Sequence, residues 1–478
     1  MSNDEAAPAA TEATAPTTKS ERKQKGKELR EKAPRASHGE WAPAEDRPDP
    51  IGVLQAQDEG RLQHLLPIKY GRMLESPFAF LRGSAAVMAA DLVGTPGTGI
   101  PVILCGDAHL SNFGVFATPE RQLVFDTNDF DEAYPGPWEW DLKRLAASAV
   151  VAGRENGFGE KKCRSLVVDL SEMYRYAMGK FSEADTLDVW YYHVPAEAVL
   201  EIFERSSKKG EKSAQKMIKK ARTKTHQQTL EKLTKFEDGR RRIISDPPLL
   251  VPVRDMGFEK YLDEEDLRKL AKESIEDSWR QYLDSLPDER RYLLRSFQIK
   301  DMALRVGGVG SVGTRCVIAL LEGESADDAL ILQLKEAGPS VLEAHLTERR
   351  YSEHAERVVT GQRLMQAASD IFLGWHTSMK SDRDYYWRQL KDMKGSADVG
   401  AMDYKSLRTY LGVCAWCLAR AHARTGDELG ISGYIGKGDV FPEAIGNFAA
   451  AYADQTERDY QALVEVVESG RVTAEVGI

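Results

Sequence analysis

Two short apolar segments near residue 110 each run into a cluster of acidic and amide side chains, and these polar strand ends limit how the chain can fold. The first segment, PVIL, is followed by the loop CGDAHLSN, and the second, LVF, is followed by DTNDFDEA. The sequence TPER between them has the composition of a turn. Short apolar runs bounded by turn residues are typical of buried strands. We therefore predict a buried strand that breaks into a polar loop, and a second strand that ends in acids.

The polar loop and the acidic strand end carry the residue types that phosphoryl transfer requires. Such transfer needs a carboxylate that orients the attacking hydroxyl, and hard oxygen ligands that hold Mg²⁺ between the phosphates. Asp107 and Asn112 have the spacing of the aspartate and asparagine in a kinase catalytic loop. The second segment offers Asp126, Asp129 and Asp131 as carboxylate ligands for the metal. An Asp-x4-Asn pair can also simply cap a turn, and this alternative stays open.

A resemblance to known enzymes bears on which of these residues are functional. GDAHLSN resembles the GD-x-H-x-x-N loop of aminoglycoside and choline phosphotransferases, and NDFDEA resembles their metal-binding I-D-F-D-D-A strand end. The resemblance implies Asp107, Asn112 and Asp129 as catalytic residues, and we take Asn112, Asp129 and Asp131 as the candidate metal ligands. It favours Asp129 over Asp126, and it leaves open whether Asp126 or Asp131 joins Asp129 on the metal.

The same resemblance extends to the next helix. Trp140-Asp141-Leu142 resembles a downstream D-L motif, whose aspartate braces the catalytic loop in those enzymes, and this role is carried to Asp141. Cys105 departs from the pattern, because those enzymes usually carry histidine before Gly-Asp. His109 is a candidate metal ligand, although a lone loop histidine more often forms hydrogen bonds with the backbone.

A glycine-rich segment near residue 310 fits the pattern G-x-G-x-x-G. A dinucleotide site requires a helix directly after the glycines, whereas the sequence TRCVIALL that follows is β-branched and apolar. We therefore predict strand, loop and strand, with Gly308, Gly310, Ser311 and Gly313 lying over the phosphates of ATP. A dinucleotide-dependent oxidoreductase is the alternative, and it predicts a helix after Gly313.

The strand after the glycine loop, LILQLKEA, places Lys335 where a lysine would hold the phosphates of ATP. A charge that closes an apolar strand costs free energy unless it is paired, so we expect Glu343 or Glu356 as its partner. The sequence does not choose between these two glutamates. A further strand from Tyr385 would lead to a hinge, which places Met393 near the adenine.

The order of these segments is unusual, because kinases carry the glycine loop before the catalytic loop. Each half holds what the other lacks for one ATP site, which favours a circularly permuted, protein-kinase-like fold of the α+β class with two lobes. We expect a disordered tail over residues 1–45 and a helical large lobe with the catalytic and metal-binding loops over 46–300. A small antiparallel β lobe would span residues 301–400, and helices over 401–478 would return to the large lobe.

Segments spread from about residue 50 to 465 resemble an uncharacterised bacterial family, domain of unknown function 2252. The resemblance is carried by SPFAFLRGSA, CGDAHLSNFG, NDFDEAYPGPWEWDLKRLAAS, LQLKEAGPSVLE and RVVTGQRLMQAASDIFLGW. It implies a role for Arg82, in FLRG, near the phosphates. It does not imply a substrate.

Composition restricts the partners. A formal net charge of -10 gives no general attraction to nucleic acid or to an anionic membrane. Five cysteines are few and odd in number, no secretory signal is recognised, and no apolar stretch reaches the length of a membrane span, so we expect a cytoplasmic protein. The lysine-rich segment from Lys208 to Arg242 is interpreted as an exposed helical face, with a groove for an anionic substrate as the alternative.

These patterns predict an ATP-dependent phosphotransferase that uses ATP and Mg²⁺ and acts on an unknown acceptor hydroxyl of a small molecule or protein. One alternative is a non-catalytic ATP-binding regulator, because Cys105 departs from the catalytic-loop pattern. A second alternative is transfer of AMP to protein. The sequence names neither the acceptor nor the oligomeric state.

Overall fold

Long helices and antiparallel strands alternate along the chain, so the protein is of the α+β class. The computed structural model describes residues 18–256, 275–346, 351–378, 383–390 and 393–478. The helices are α1 (Lys19–Lys32), α2 (Pro50–Asp58), α3 (Leu66–Met73), α4 (Pro77–Gly83), α5 (Ala85–Leu92), α6 (Trp138–Glu155), α7 (Glu160–Glu183), α8 (Thr186–Tyr191), α9 (Ala196–Ser206), α10 (Lys208–Thr223), α11 (His226–Leu233), α12 (275–284), α13 (Asp288–Leu294), α14 (His354–Met365), α15 (Tyr404–Thr425), α16 (Glu428–Ile435) and α17 (Val440–Glu468).

The strands form antiparallel pairs throughout. They are β1 (Pro101–Leu104), β2 (Phe113–Ala117), β3 (Leu123–Thr127), β4 (Tyr134–Pro137), β5 (Val194–Pro195), β6 (Thr234–Glu237), β7 (Arg240–Ile243), β8 (Leu250–Pro252), β9 (Gln298–Arg305), β10 (Cys316–Glu322), β11 (Ala329–Ala337), β12 (Gly374–Ser378), β13 (Arg383–Gln389) and β14 (Gly395–Ser396). Within the ranges given above, no helix is both long and apolar enough to span a lipid bilayer.

The large sheet has six strands in the order β12-β13-β11-β10-β9-β8. Successive side chains of a strand point to opposite faces, and both faces of this sheet are covered. In β11, Leu330 and Leu332 pack in one apolar cluster with Tyr282 and Leu286, whereas Ile331 packs in another cluster on the opposite face. By the same alternation, Gln333 and Lys335 lie on the same face of β11 as Ile331. Both line a cavity beyond the apolar cluster.

The helical body surrounds α6, which is buried along nearly its whole length. Helices α7, α15 and α17 pack around it, and Trp138 at the start of α6 stacks on Tyr174 of α7. The hairpin of β2 and β3 lies against this body in a four-stranded sheet of order β14-β2-β3-β5. Helices α15, α16 and α17 lie within residues 401–478, where helices were predicted.

Two predicted boundaries are wrong. The large sheet does not begin at residue 301, because β8 pairs with β9 and α11 packs on β11. The predicted tail over residues 1–45 is also not disordered throughout. Residues 1–17 lie outside the described part of the chain, but α1 is an ordered helix whose Gly26 lies directly against the backbone of Gly430. This docking escaped the sequence analysis because α1 has no apolar stripe and is held by close backbone approach and by Arg30, which donates to the carbonyls of Gly433 and Tyr434.

A buried ion pair joins the hairpin of β2 and β3 to helix α15. The Arg420 guanidinium of α15 lies 2.7 Å from Asp126 Oδ2 at the end of β3, and both side chains are about 1 % exposed. Asp126 also accepts hydrogen bonds from the backbone N–H groups of Ala367 and Thr127. The carboxylate of Asp126 is therefore fully used in holding the fold, which removes it from the metal candidates.

We expect Arg420→Met to lower the free energy of unfolding by about 3–5 kcal/mol, because it leaves the Asp126 carboxylate buried without its cation. Arg408→Met, in the same helix, is the matched control. It removes an exposed pair with Asp169, for which a loss of about 0–1 kcal/mol is expected. Urea denaturation measures both losses, and equal losses for the two variants would contradict the assignment.

Candidate functional site

A cavity of about 580 Å³ lies between the large sheet and the helical body. It is lined by the polar loop after β1, the acidic segment after β3, the loop between β9 and β10, and one face of β11 and β13. The two remote stretches that the sequence analysis singled out therefore line the same cavity.

A buried carboxylate fixes the backbone of the polar loop. Asp141 of α6 accepts hydrogen bonds from the backbone N–H groups of Cys105 and Gly106, at 2.7 and 3.0 Å. His422 contacts the same carboxylate and is held in turn by Tyr174. The predicted bracing role of Asp141 is confirmed. Gly106 is required here, because it has a φ of 79° and a side chain would collide with the Glu132 carbonyl.

Asp107 enters the cavity with one oxygen already held. Arg144 of α6 donates to Asp107 Oδ1 from Nε at 2.9 Å, while its other nitrogens reach the Leu81 carbonyl and Met88. The second oxygen, Oδ2, lies 3.5 Å from His109 Nε2. Burial lowers the pKa of His109 to about 4, so this histidine is neutral near pH 7 and accepts a backbone hydrogen bond at Nδ1. The sequence analysis missed Arg144, because a single arginine within a helix carries no motif.

Asn112 and Asp129 lie at the same end of the hairpin. The register of β2 and β3 sets Phe113 opposite Thr127, and the Asn128 N–H donates to the Asn112 carbonyl at 2.8 Å. Asn112 donates from Nδ2 to the Asp107 backbone carbonyl at 2.7 Å, which leaves its side-chain oxygen available. Asp129 forms no ion pair with any described residue. Burial, reinforced by the nearby charge of Asp131, raises the pKa of Asp129.

Lys335 does not pair with Glu343 or Glu356 as predicted. Its ammonium contacts the Asp131 carboxylate, which also accepts a hydrogen bond from Tyr386 of β13. Burial alone would raise the pKa of Asp131, but the charge and hydrogen bond of Lys335 outweigh it and lower that pKa. The prediction failed because it considered only residues close in sequence to the strand, whereas the partner lies 204 residues away.

The glycine loop joins two antiparallel strands, as predicted. Gly308, Gly310 and Ser311 line the cavity, but Gly313 lies outside its lining and packs against Arg61. Strand β10 follows the glycines, so the helix that a dinucleotide site requires after Gly313 is not there. This strand removes the sequence basis for the oxidoreductase alternative.

Met393 is also outside the cavity lining. Its sulfur accepts a hydrogen bond from Arg121, and its backbone N–H donates to the Lys224 carbonyl. Its neighbour Lys394 lines the cavity instead. The strand was placed correctly by its pattern, but the turn after it has a φ of 46° at Met393, which redirects that side chain.

Five basic side chains that sequence reasoning left without a defined role, or missed, face the same cavity. They are Arg82, Lys224, Arg305, Arg388 and Lys394. None of them pairs with a carboxylate among the described residues, and the buried Nε of Arg82 has no hydrogen-bond partner there. Strand alternation was the signal for two of them, since Arg305 ends β9 before the glycine loop and Arg388 lies opposite Gln333 in the sheet.

Comparison with known proteins gives a family but no function. The family model described as "Uncharacterized protein conserved in bacteria (DUF2252)" matches residues 61–466. The chain belongs to this family. Neither the comparison with curated proteins nor that with solved structures produced a significant match.

The donor set of the cavity fits a nucleotide with its metal ion. No group of three or more His, Cys, Asp or Glu side chains forms a ready metal cage in the described ranges. Magnesium in phosphate-transfer sites instead takes one or two carboxylates together with substrate phosphates. Asp129 and the Asn112 side-chain oxygen supply such a partial set, and the unpaired cations around them supply partners for phosphate oxygens.

We expect anion binding in this cavity to weaken as the pH rises. Burial, together with the nearby charge of Arg388, lowers the pKa of Lys394 to about 8. Lys394 is therefore charged below this pH and neutral above it, so raising the pH from 7 to 9 removes one positive charge from the site. Isothermal titration with sulfate, whose own charge does not change over this range, should show a dissociation constant that rises.

Two variants separate this effect from general loss of charge. In Lys394→Met the pH dependence between 7 and 9 should flatten. In Arg305→Met binding should weaken at both pH values while the dependence remains, because arginine keeps its charge throughout. An unchanged slope in Lys394→Met would rule out Lys394 as the titrating group.

Proposed function

We propose that this protein is an ATP-dependent phosphotransferase that uses Mg-ATP to phosphorylate the hydroxyl of an acceptor. The observation that carries the proposal is the convergence of Asp107, Asn112 and Asp129 with Lys335 and the glycine loop around one cavity. Phosphoryl transfer depends mainly on positioning and on electrostatic stabilisation. A cavity with carboxylates on one side and cations on the other supplies both.

Asp107 is the residue that orients the acceptor. Arg144 holds its Oδ1, and Oδ2, which faces His109 Nε2 at 3.5 Å, keeps a lone pair that can accept a hydrogen bond from the acceptor hydroxyl and then its proton. Asn112 and Asp129 hold the metal ion, which would neutralise charge on the phosphates when bound. Asp131 serves first as the partner of Lys335 and Tyr386, which orients the lysine toward the phosphates.

The fold implied by this proposal is kinase-like and circularly permuted. Strands β9 and β10 with the glycine loop would act as the lid over ATP, and β11 supplies the lysine. Helix α15 would correspond to the helix that precedes the catalytic loop in kinases. In support, Tyr410 of α15 donates hydrogen bonds to the carbonyls of Leu110 and Phe113, which places this helix directly under the polar loop.

Incubation of the purified protein with Mg-ATP tests the proposal, because water can take the place of the unknown acceptor. We expect slow release of ADP and phosphate, and a loss of about 10²-fold or more in Asp107→Asn, because that variant cannot take the proton. Binding of a fluorescent ATP analogue should stay within about threefold of wild type, since Asp107 does not hold the nucleotide. Asp238→Asn, an exposed exchange on the β6–β7 turn, is the matched control.

The products distinguish the alternatives. Release of AMP and pyrophosphate would show that the protein transfers AMP and not phosphate. Firm ATP binding with no turnover in the wild type would favour a non-catalytic regulator. Equal turnover in Asp107→Asn and wild type would contradict the role of Asp107.

A further inference from the structure

Helix α10 carries a row of exposed lysines that winds slowly around the helix. Lys208, Lys212, Lys216 and Lys220 follow one another at intervals of four residues, and Lys224 continues the interval just beyond the helix end. Residues four apart are neighbours on the surface of a helix, and each step of four moves the row about 40° around the axis. At about 1.5 Å per residue the row is roughly 24 Å long. We call these five residues the lysine stripe.

The stripe is not neutralised by neighbouring acids. Among the described residues, none of its lysines forms an ion pair, and the single ion pair of α10 joins Arg222 to Glu197. Glu211 is the only acid within the helix, and it accepts a hydrogen bond from Gln215. Like charges four residues apart destabilise a helix, so the stripe reduces the stability of α10.

One end of the stripe lies at the proposed nucleotide cavity. Lys224 lines this cavity, and its carbonyl accepts a hydrogen bond from the backbone N–H of Met393. Strand β14 lies directly against α10, next to the cavity-lining Lys394. Beside the stripe runs a groove of about 300 Å³, which is bounded by four lysines of α10 and by residues 396–406, with Asp398 as its acid. Positive charge is therefore continuous from the exposed helix into the cavity.

We propose that the lysine stripe docks an acidic segment of a protein partner and leads it toward the cavity. That the docked protein is the acceptor of phosphate rests on the proposed function. Lysines four residues apart on a helix are about 6 Å apart, and alternate side chains of an extended peptide are about 6.6 Å apart. Acidic side chains at alternate positions would therefore match the spacing of successive lysines along this winding row. Single-stranded nucleic acid is disfavoured, because α10 contains no aromatic residue on which bases could stack.

Fluorescence anisotropy with a labelled ten-residue peptide that has glutamate at alternate positions tests the proposal. We expect the wild type to bind it with an affinity that falls as salt is added. The variant Lys212→Glu/Lys216→Glu/Lys220→Glu should bind at least about tenfold more weakly. The milder variant with glutamine at the same positions should show a smaller loss. Lys25→Glu/Lys27→Glu/Lys437→Glu, which reverses three exposed lysines elsewhere, should bind as the wild type does.

The remaining outcomes overturn the proposal. It fails if the wild type does not bind the acidic peptide, or if a peptide with glutamine in place of glutamate binds equally well. It also fails if both triple charge reversals weaken binding equally. Tighter, stripe-dependent binding of a ten-nucleotide deoxythymidine strand would assign the stripe to nucleic acid instead. A fluorescent ATP analogue, measured in parallel, separates the two proposals, because its binding does not depend on Lys212, Lys216 or Lys220.

Discussion

The contact between Lys335 and Asp131 joins the large sheet to the acidic segment of the hairpin, and the shape of the cavity depends on it. The Lys335 side chain is buried and that of Asp131 is partly buried, so each charge would be costly alone and the pair is stable only when both segments are in place. Tyr386 adds a hydrogen bond from the neighbouring strand, and the aromatic ring also lies beside the lysine ammonium.

Local patterns in the sequence were sufficient to predict the parts of this site, but not how they join. Alternation and turn residues located the strands, and the spacing of Asp107 and Asn112 located the polar loop. The partner of Lys335 could not be found in this way, because ion pairs between distant segments leave no trace in local spacing. Arg144 was missed for the same reason, and Met393 because a single backbone angle decides the direction of its side chain.

The cavity also shows why net charge is a weak guide to a binding site. The chain is acidic overall, with a formal net charge of -10. Within the cavity, however, six cationic side chains face four acidic ones, which are Asp107, Asp129, Asp131 and Glu132. Lys335 is the one of these cations that pairs with a carboxylate among the described residues. Concave surfaces of one sign concentrate the field, so the local excess of cations determines which ligands are attracted.

The family match begins at residue 61, but the folded unit begins earlier. Leu54 of α2 is completely buried in an apolar cluster that includes matched residues, and Gly26 of α1 lies against Gly430. Beyond the last matched residue, the Glu475 N–H donates to the Pro67 carbonyl at 2.8 Å. A fragment trimmed to the matched region would uncover apolar surface at both ends and would be prone to aggregate. Limits drawn from family similarity therefore mark what relatives share, and a preparation that is to stay in solution has to keep both flanks.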